Sequence, residues 1–239
     1  LEDSLTQSGG LRLPERLIYL RDLLHVLVGR DMKLRYKRSI LGFAWSLLNP
    51  LAQALVFAFV FGLVLPLDIP NYPLFLLAGL LPWNWFSSSL LLATGAIVDN
   101  RDLIKRPGLP AAILPTVRVT SDLIHFLMAL VVLCVFLLVA GIRPTAAIVL
   151  LPLVIVTQFT LVLSLSYFVA TFHVRFRDTQ YLLSVVLQMV FFLTPIFYDI
   201  DIISARYQPF YRLNPMVHLV GAYRVILIRG ERSEEHTSE

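Results

Sequence analysis

The chain has 239 residues, 57% of them hydrophobic and 15% charged, with a mean hydropathy of +0.75 and a formal net charge of +4. That is more apolar surface than a soluble domain of this length needs to fill its core, which excludes an ordinary water-soluble globular fold. The expected class is an all-α integral membrane protein.

The first element is "ERLIYLRDLLHVLVGRDMKLRYKR", where Leu17, Leu20, Leu24 and Leu27 recur at helical spacing and most charges fall off that stripe. It predicts an amphipathic helix lying in the headgroup region. Its basic residues Arg30, Lys33, Arg35, Lys37 and Arg38, with Tyr36, would meet anionic lipid. These charges flank a membrane span rather than a soluble reader domain, so no nucleic-acid partner is expected. The first uncharged run starts too far in for a cleaved secretory signal, so insertion falls to the first membrane helix itself.

Five uncharged runs follow: Ser39 to Leu67, Ile69 to Val98, Leu123 to Ile142, Pro144 to Phe172 and Thr179 to Tyr198. Each has the roughly 20 apolar residues that a helix needs to cross the hydrocarbon layer. The lone cysteine, Cys134, lies in the third and reads as a small buried residue. Basic residues crowd the segment before the first run and are missing from "DIPNYP" after it, which places the N-terminus in the cytoplasm. Counting onward puts "RDLIKRPGLPAAILP" and "HVRFRD" inside and "GIRPT" outside. After the fifth run, Arg206, Arg212, Arg224 and Arg229 fall outside by parity, against the charge rule. The last eight residues, "RSEEHTSE", resemble a translated sequencing adapter. The expected organisation is therefore a cytoplasmic segment 1–38, a membrane domain 39–230 and a non-native tail 231–239.

No catalytic constellation stands out. There is no GxxxxGK[ST] loop for nucleotide phosphates, and the five runs hold no Lys, Arg, Asp or Glu to mark an ion pathway. His125 reads as a polar residue near a helix end. Asp199 and Asp201 in "YDID" make a weak metal pattern in an outer loop. No metal or cofactor is expected in the chain. Such a body either borrows its energy from a partner or is a passive pore.

"RDMKLRYKRSILGFAWSLLNPL", "NYPLFLLAGLLPWNWF", "NRDLIKRPGLPAAILP", then "FRD", "TPIFY" and "LNP" resemble, in this order, the permease subunits of type-2 ABC exporters for O-antigen, capsule and teichoic acid. The similarity spans Arg12 to Gly230. It implies six membrane helices per subunit, the sixth here cut short by the tail, with short helices dipping back from the outer surface before it. It also implies a homodimer in the bacterial inner membrane that moves a lipid-linked glycan. Two separate ATPase subunits would bind ATP and magnesium. The basic, proline-rich connection resembles the coupling helix that meets such an ATPase. Pro107, Pro110 and Pro115 would stiffen its borders, Lys105 and Arg106 would pair with the partner, and Leu103, Leu109, Ile113 and Leu114 would pack against it. Relatives commonly carry an aromatic before the central proline and charges after it, whereas Gly108, Leu109, Ala111 and Ala112 stand here.

Trp83, Trp85 and Phe86 are expected near the outer end of the second span, and Phe191, Phe192 and Tyr198 near that of the fifth. They form either an interfacial aromatic belt or flat walls of a conduit along which sugar rings slide. Other readings of the same body are a type-2 exporter of drugs or lipids, a glycan-processing membrane enzyme and a passive channel.

Overall fold

The computed structural model describes residues 13–36, 44–60, 69–105, 108–143 and 145–228. They are helical throughout, without a strand among the described residues: α1 (Leu13–Tyr36), α2 (Ala44–Phe59), α3 (Tyr72–Asp99), α4 (Arg101–Ile104), α5 (Ile113–Val139), α6 (Leu151–Arg175), α7 (Thr179–Leu193), α8 (Gln208–Arg212) and α9 (Pro215–Leu227). Among the described residues, three helices are long and apolar enough to cross a bilayer: α3, α5, and α6 together with the 3-10 turn Ala146–Leu150 that leads into it. Shorter apolar helices at Leu48–Phe57, Thr179–Leu193 and Pro215–Leu227 complete the body. The protein is an all-α, multi-pass membrane protein, as composition and periodicity predict.

Helix ends follow local chemistry. α5 closes in a Schellman motif: Ile142 N donates to Leu137 O at 2.9 Å and Gly141 N to Leu138 O at 3.1 Å, with Gly141 at φ +83. Only a residue without Cβ adopts that turn cheaply. α9 starts on Asn214, whose side chain accepts from Met216 N at 3.0 Å, with Pro215 in the first helical position where its missing N–H costs nothing.

Two ends depart from the uncharged runs. The fifth run was expected to span to Tyr198, but α7 stops at Leu193 because Thr194, preceding Pro195, is driven to extended backbone. Its 15 residues rise about 22 Å, short of the hydrocarbon thickness. α5 instead begins ten residues before its run, at Ile113, and so carries Arg118 and Asp122 inside a membrane helix. Charge ended the run in the sequence but not the helix, because both side chains find partners within the bundle.

α3 is the central helix, packed by α2, α5, α6, α7 and α9. Of its most apolar window 72% is buried, against 33% for α5 and 11% for α6, whose Leu153, Val156, Phe168 and Phe172 point outward as lipid-facing side chains do. Lipid tails are as apolar as leucine, so close packing and interhelical hydrogen bonds hold such a bundle together. Gln158, fully buried on α6, donates through Nε2 to Pro82 O on α3 at 2.8 Å. The largest polar insertion is Arg224 of α9, 5% exposed. Its guanidinium donates to the carbonyls of Phe75, Pro195 (2.6 Å), Ile196 and Tyr198, and its Cζ sits 3.5 Å from the centroid of the Phe75 ring. Gly79 makes room for it: a Cβ there would lie 2.8 Å from Arg224 Nη2. Tyr72 Oη donates to Phe197 O at 2.7 Å, so the start of α3, the segment after α7 and α9 form one end of the molecule.

Candidate functional site

The opposite end is where α1 meets the connection between α3 and α5. Leu27 and Val28 of α1 are buried against Ala96 of α3 and against Ile113, Leu114 and Val117 of α5, with Leu20, Leu23, Leu24, Leu103, Ile104 and Leu109 packed around them. Tyr19 Oη donates to Gly108 O at 3.0 Å, which fixes α1 to the left-handed turn (φ +86) of the connection. The leucine stripe of α1 therefore seats on protein over most of its length. Of the four leucines only Leu17 keeps the exposed position expected of the whole stripe, at 67%; Ile18, Val26 and Leu34 of the same helix are exposed as well.

Ion pairs complete the junction. Arg118 of α5 makes a close salt bridge to Asp31 of α1. Arg35, one turn on from Asp31, reaches Asp31 Oδ2 through Nε at 3.3 Å and Asp122 Oδ1 through Nη1 at 2.6 Å. Asp122 Oδ2 accepts from Ser88 Oγ at 3.2 Å and Ser89 Oγ at 3.1 Å. Three helices thus share one network in which Asp122 is 4% exposed. This is the arrangement that ionisable residues take at membrane depth: they face the interior and pair with one another.

Several sequence expectations are corrected here. Arg35 faces the bundle instead of lipid, while Arg30 and Lys33 are exposed. Ile113, Leu114 and Pro115 are buried inside the subunit and so hold the connection in place, while Leu103 and Leu109 are half-buried against α1. The short helix is α4, ahead of the prolines. Pro115 lies within the first turn of α5. What the connection does present outward is Arg101, Asp102, Lys105, Gly108, Pro110 and Ala112, with Lys105 Nζ 3.5 Å from Asp102. Arg106, Pro107, Lys37, Arg38 and the Tyr36 side chain lie outside the described residues.

The aromatic residues separate into two groups. Trp83, Trp85 and Phe86 were expected at an outer rim, yet they sit in the middle of α3, about 17 to 21 Å from its start at 1.5 Å per residue. They are 4%, 3% and 6% exposed. Trp85 stacks on Phe126 (centroids 4.7 Å), which meets Tyr223 edge-on at 5.7 Å; Trp83 lies 5.6 Å from Phe191. These rings pack within the core of the bundle, away from the helix end where the sequence placed them. Near the end of α7, Phe192 is 56% exposed, whereas Phe191 and Tyr198 are half-buried. Burial, and then the hydrogen bond to Tyr211 Oη at 3.5 Å, raises the pKa of Tyr198 above the usual tyrosine range, so it keeps its proton and remains a donor.

Sequence reading missed Asp31, Arg118, Asp122, Ser88, Ser89 and Arg224. A signal was present: charges abutting or interrupting an apolar run need a partner at membrane depth. Among the described residues no group of three or more His, Cys, Asp or Glu is placed to hold a metal.

The sequence of residues 22–228 matches the model of the ABC-2 type transporter family. The chain belongs to the ABC-2 type transporter family. The match begins within α1 and runs to the end of α9, so the N-terminal helix is part of the family domain, in line with its packing. Among similar curated proteins, an O-antigen export system permease from Myxococcus xanthus is 42% identical over 219 residues, covering 90% of this chain and 84% of that protein. One from Klebsiella pneumoniae is 34% identical over 229 residues, 95% and 88% of the two chains. A polysialic acid transport protein of Escherichia coli is 27% identical over 210 residues, 86% and 81%. The ABC-2 assignment bears out the resemblance read from the ordered motifs.

Proposed function

We propose that this chain is the membrane-spanning permease subunit of an ATP-driven exporter that moves a lipid-linked polysaccharide across the bacterial inner membrane. The substrate class rests on the similarity to O-antigen and polysialic acid export proteins over most of their length. In this reading two copies pair, the N-terminus and the connection face the cytoplasm, and two separate ATPase subunits supply the ATP and magnesium chemistry.

The observation that carries the mechanism is the shared packing of α1 and the connection. A push on an isolated loop would dissipate in its own bending. Here the outward face, Arg101, Lys105 and Pro110, is backed by Leu103, Leu109, Ile113 and Leu114, which bear on α1, and the ion pairs tie α1 to α3 and α5. Force applied at Lys105 therefore reaches three helices as one body. Phe192 at the far end offers an exposed flat ring past which a sugar chain slides.

The test is affinity purification from mild detergent with crosslinking. An ATPase subunit is expected with the parent chain, and Arg101→Glu with Lys105→Glu is expected to reduce its recovery about tenfold while the permease stays monodisperse. If no ATPase accompanies even the crosslinked parent, the exporter reading fails.

A further inference from the structure

At the end of the molecule opposite the α1 junction, residues 194–198 follow α7 as irregular backbone, with Thr194, Pro195 and Ile196 buried. Carbonyl groups outside regular structure are tolerated at membrane depth only where protein groups satisfy them. Among the described residues no backbone N–H reaches the carbonyls of residues 195–198; side chains do so instead. Tyr72 Oη donates to Phe197 O at 2.7 Å, and Arg224 takes the other three. Its Nη1 donates to Pro195 O at 2.6 Å and to Tyr198 O at 3.5 Å, and its Nη2 donates to Ile196 O.

Bonds made within a turn fix its shape, whereas bonds to a side chain of another helix fix its place. Here one planar fork on α9 closes over three carbonyls of one turn, a reach that the rigid guanidinium has and a lysine ammonium lacks. α3 seats that fork in turn: the Phe75 ring lies 3.5 Å from Cζ, and Gly79 leaves the space that Nη2 occupies. The turn also carries rings. Phe197 stacks on Phe57 of α2 at 5.9 Å and meets Phe191, Phe192 and Tyr198 at 6.1, 6.4 and 4.9 Å. Tyr223, beside Arg224 on α9, packs edge-on against Phe126 in the middle of the bundle. α9 thus holds the bundle centre through one residue and the turn through the next, so a displacement of α9 carries the rings with it.

We infer that Arg224 is the positioning residue for the far end of the export path, setting where the 194–198 turn presents Phe192, Phe197 and Tyr198 to a passing chain. That this end belongs to an export path rests on the exporter reading; the clamp itself does not.

The experiment uses the full chain in phosphatidylcholine nanodiscs with Cys134→Ser and one of two reporter cysteines. Ile196→Cys sits in the turn, and Ala96→Cys sits at the α1 junction; both positions are buried in the parent. A membrane-impermeant maleimide reads their exposure. Arg224→Met should speed labelling at 196 by at least about tenfold, the change in a local opening equilibrium when a hydrogen bond to a charged group is lost, and leave labelling at 96 unchanged. Gly79→Ala, which crowds Nη2 without altering Arg224, should act in the same direction, and Arg224→Lys should fall between parent and Arg224→Met. With the partner ATPase present, Arg224→Met should slow polymer export below what its folded fraction allows. Unchanged labelling at 196 in both Arg224→Met and Gly79→Ala would overturn the inference, as would parallel acceleration at 96, which marks a merely structural role. Export at the parent rate by an Arg224→Met chain with an opened turn would overturn it too. Labelling needs neither ATPase nor polymer, so a failure of the exporter reading appears in the purification and leaves the clamp standing, whereas a failed clamp leaves the ATPase bound.

Discussion

Replacing Asp122 with alanine removes the acceptor of three side chains at once. Arg35 loses its 2.6 Å partner, and Ser88 and Ser89 lose theirs at 3.2 and 3.1 Å. A hydrogen bond to a charged group is worth about 1.5–3 kcal/mol and a neutral one about 1 kcal/mol. The expected cost is therefore about 3–5 kcal/mol, the range found when one member of a buried ion pair is deleted. For a chain of this size that lowers the melting temperature by roughly 10 °C. Cys134, the chain's single cysteine and half-buried on α5, provides the assay: a thiol-reactive dye reports its exposure as the bundle opens on heating. Arg35→Met combined with Asp122→Ala should recover part of the loss, because the stranded guanidinium goes with its partner. The cycle should give a coupling of at least about 1 kcal/mol. A melting temperature within 2 °C of the parent for Asp122→Ala, or additive effects in the cycle, would refute the view that this network ties α1 to the membrane helices.

Packing sets the outcome of four further substitutions. Gly79→Ala drives a methyl to 2.8 Å from Arg224 Nη2 and should cost about 1–3 kcal/mol as an overpacked site; Gly221→Ala, with nothing within 4 Å, should be neutral or gain up to about 1 kcal/mol of helix propensity in the same thermal assay. Trp85→Ala should destabilise by about 3–5 kcal/mol, as a buried ring does. Phe192→Ala, at a ring 56% exposed, should melt like the parent yet slow polymer export in vesicles. Normal export by a correctly inserted Phe192→Ala would remove it from the conduit.

The membrane class, the positions of α3 and α6, and the ABC-2 family were legible in the sequence because they depend on local quantities. Apolar length sets which segments leave water, and short motifs kept in order identify a family without any knowledge of contacts. Even the break after α7 had its cause in view, a proline two residues beyond Leu193. The outline of the connection was legible as well, but its inner and outer faces were not: nothing in "KRPGLPAAILP" says that Leu109 and Ile113 turn toward α1 while Lys105 turns away.

What only the tertiary structure decided is which polar groups meet. Asp31 and Arg118 are 87 residues apart, as are Arg35 and Asp122, and Arg224 reaches carbonyls up to 149 residues away. Sequence reading placed the tryptophans at the outer end of a span, as a belt or a conduit wall, and Arg35 against lipid, on the average behaviour of their residue types. Both averages gave way to specific contacts: the rings pack on Phe191 and Phe126, and Arg35 pairs with Asp31 and Asp122 because at membrane depth an unpaired charge costs more than the propensities that hydropathy records. Hydropathy along one chain fixes how much enters the bilayer; only the packing of α1, α3 and α5 fixes which charges find each other once inside.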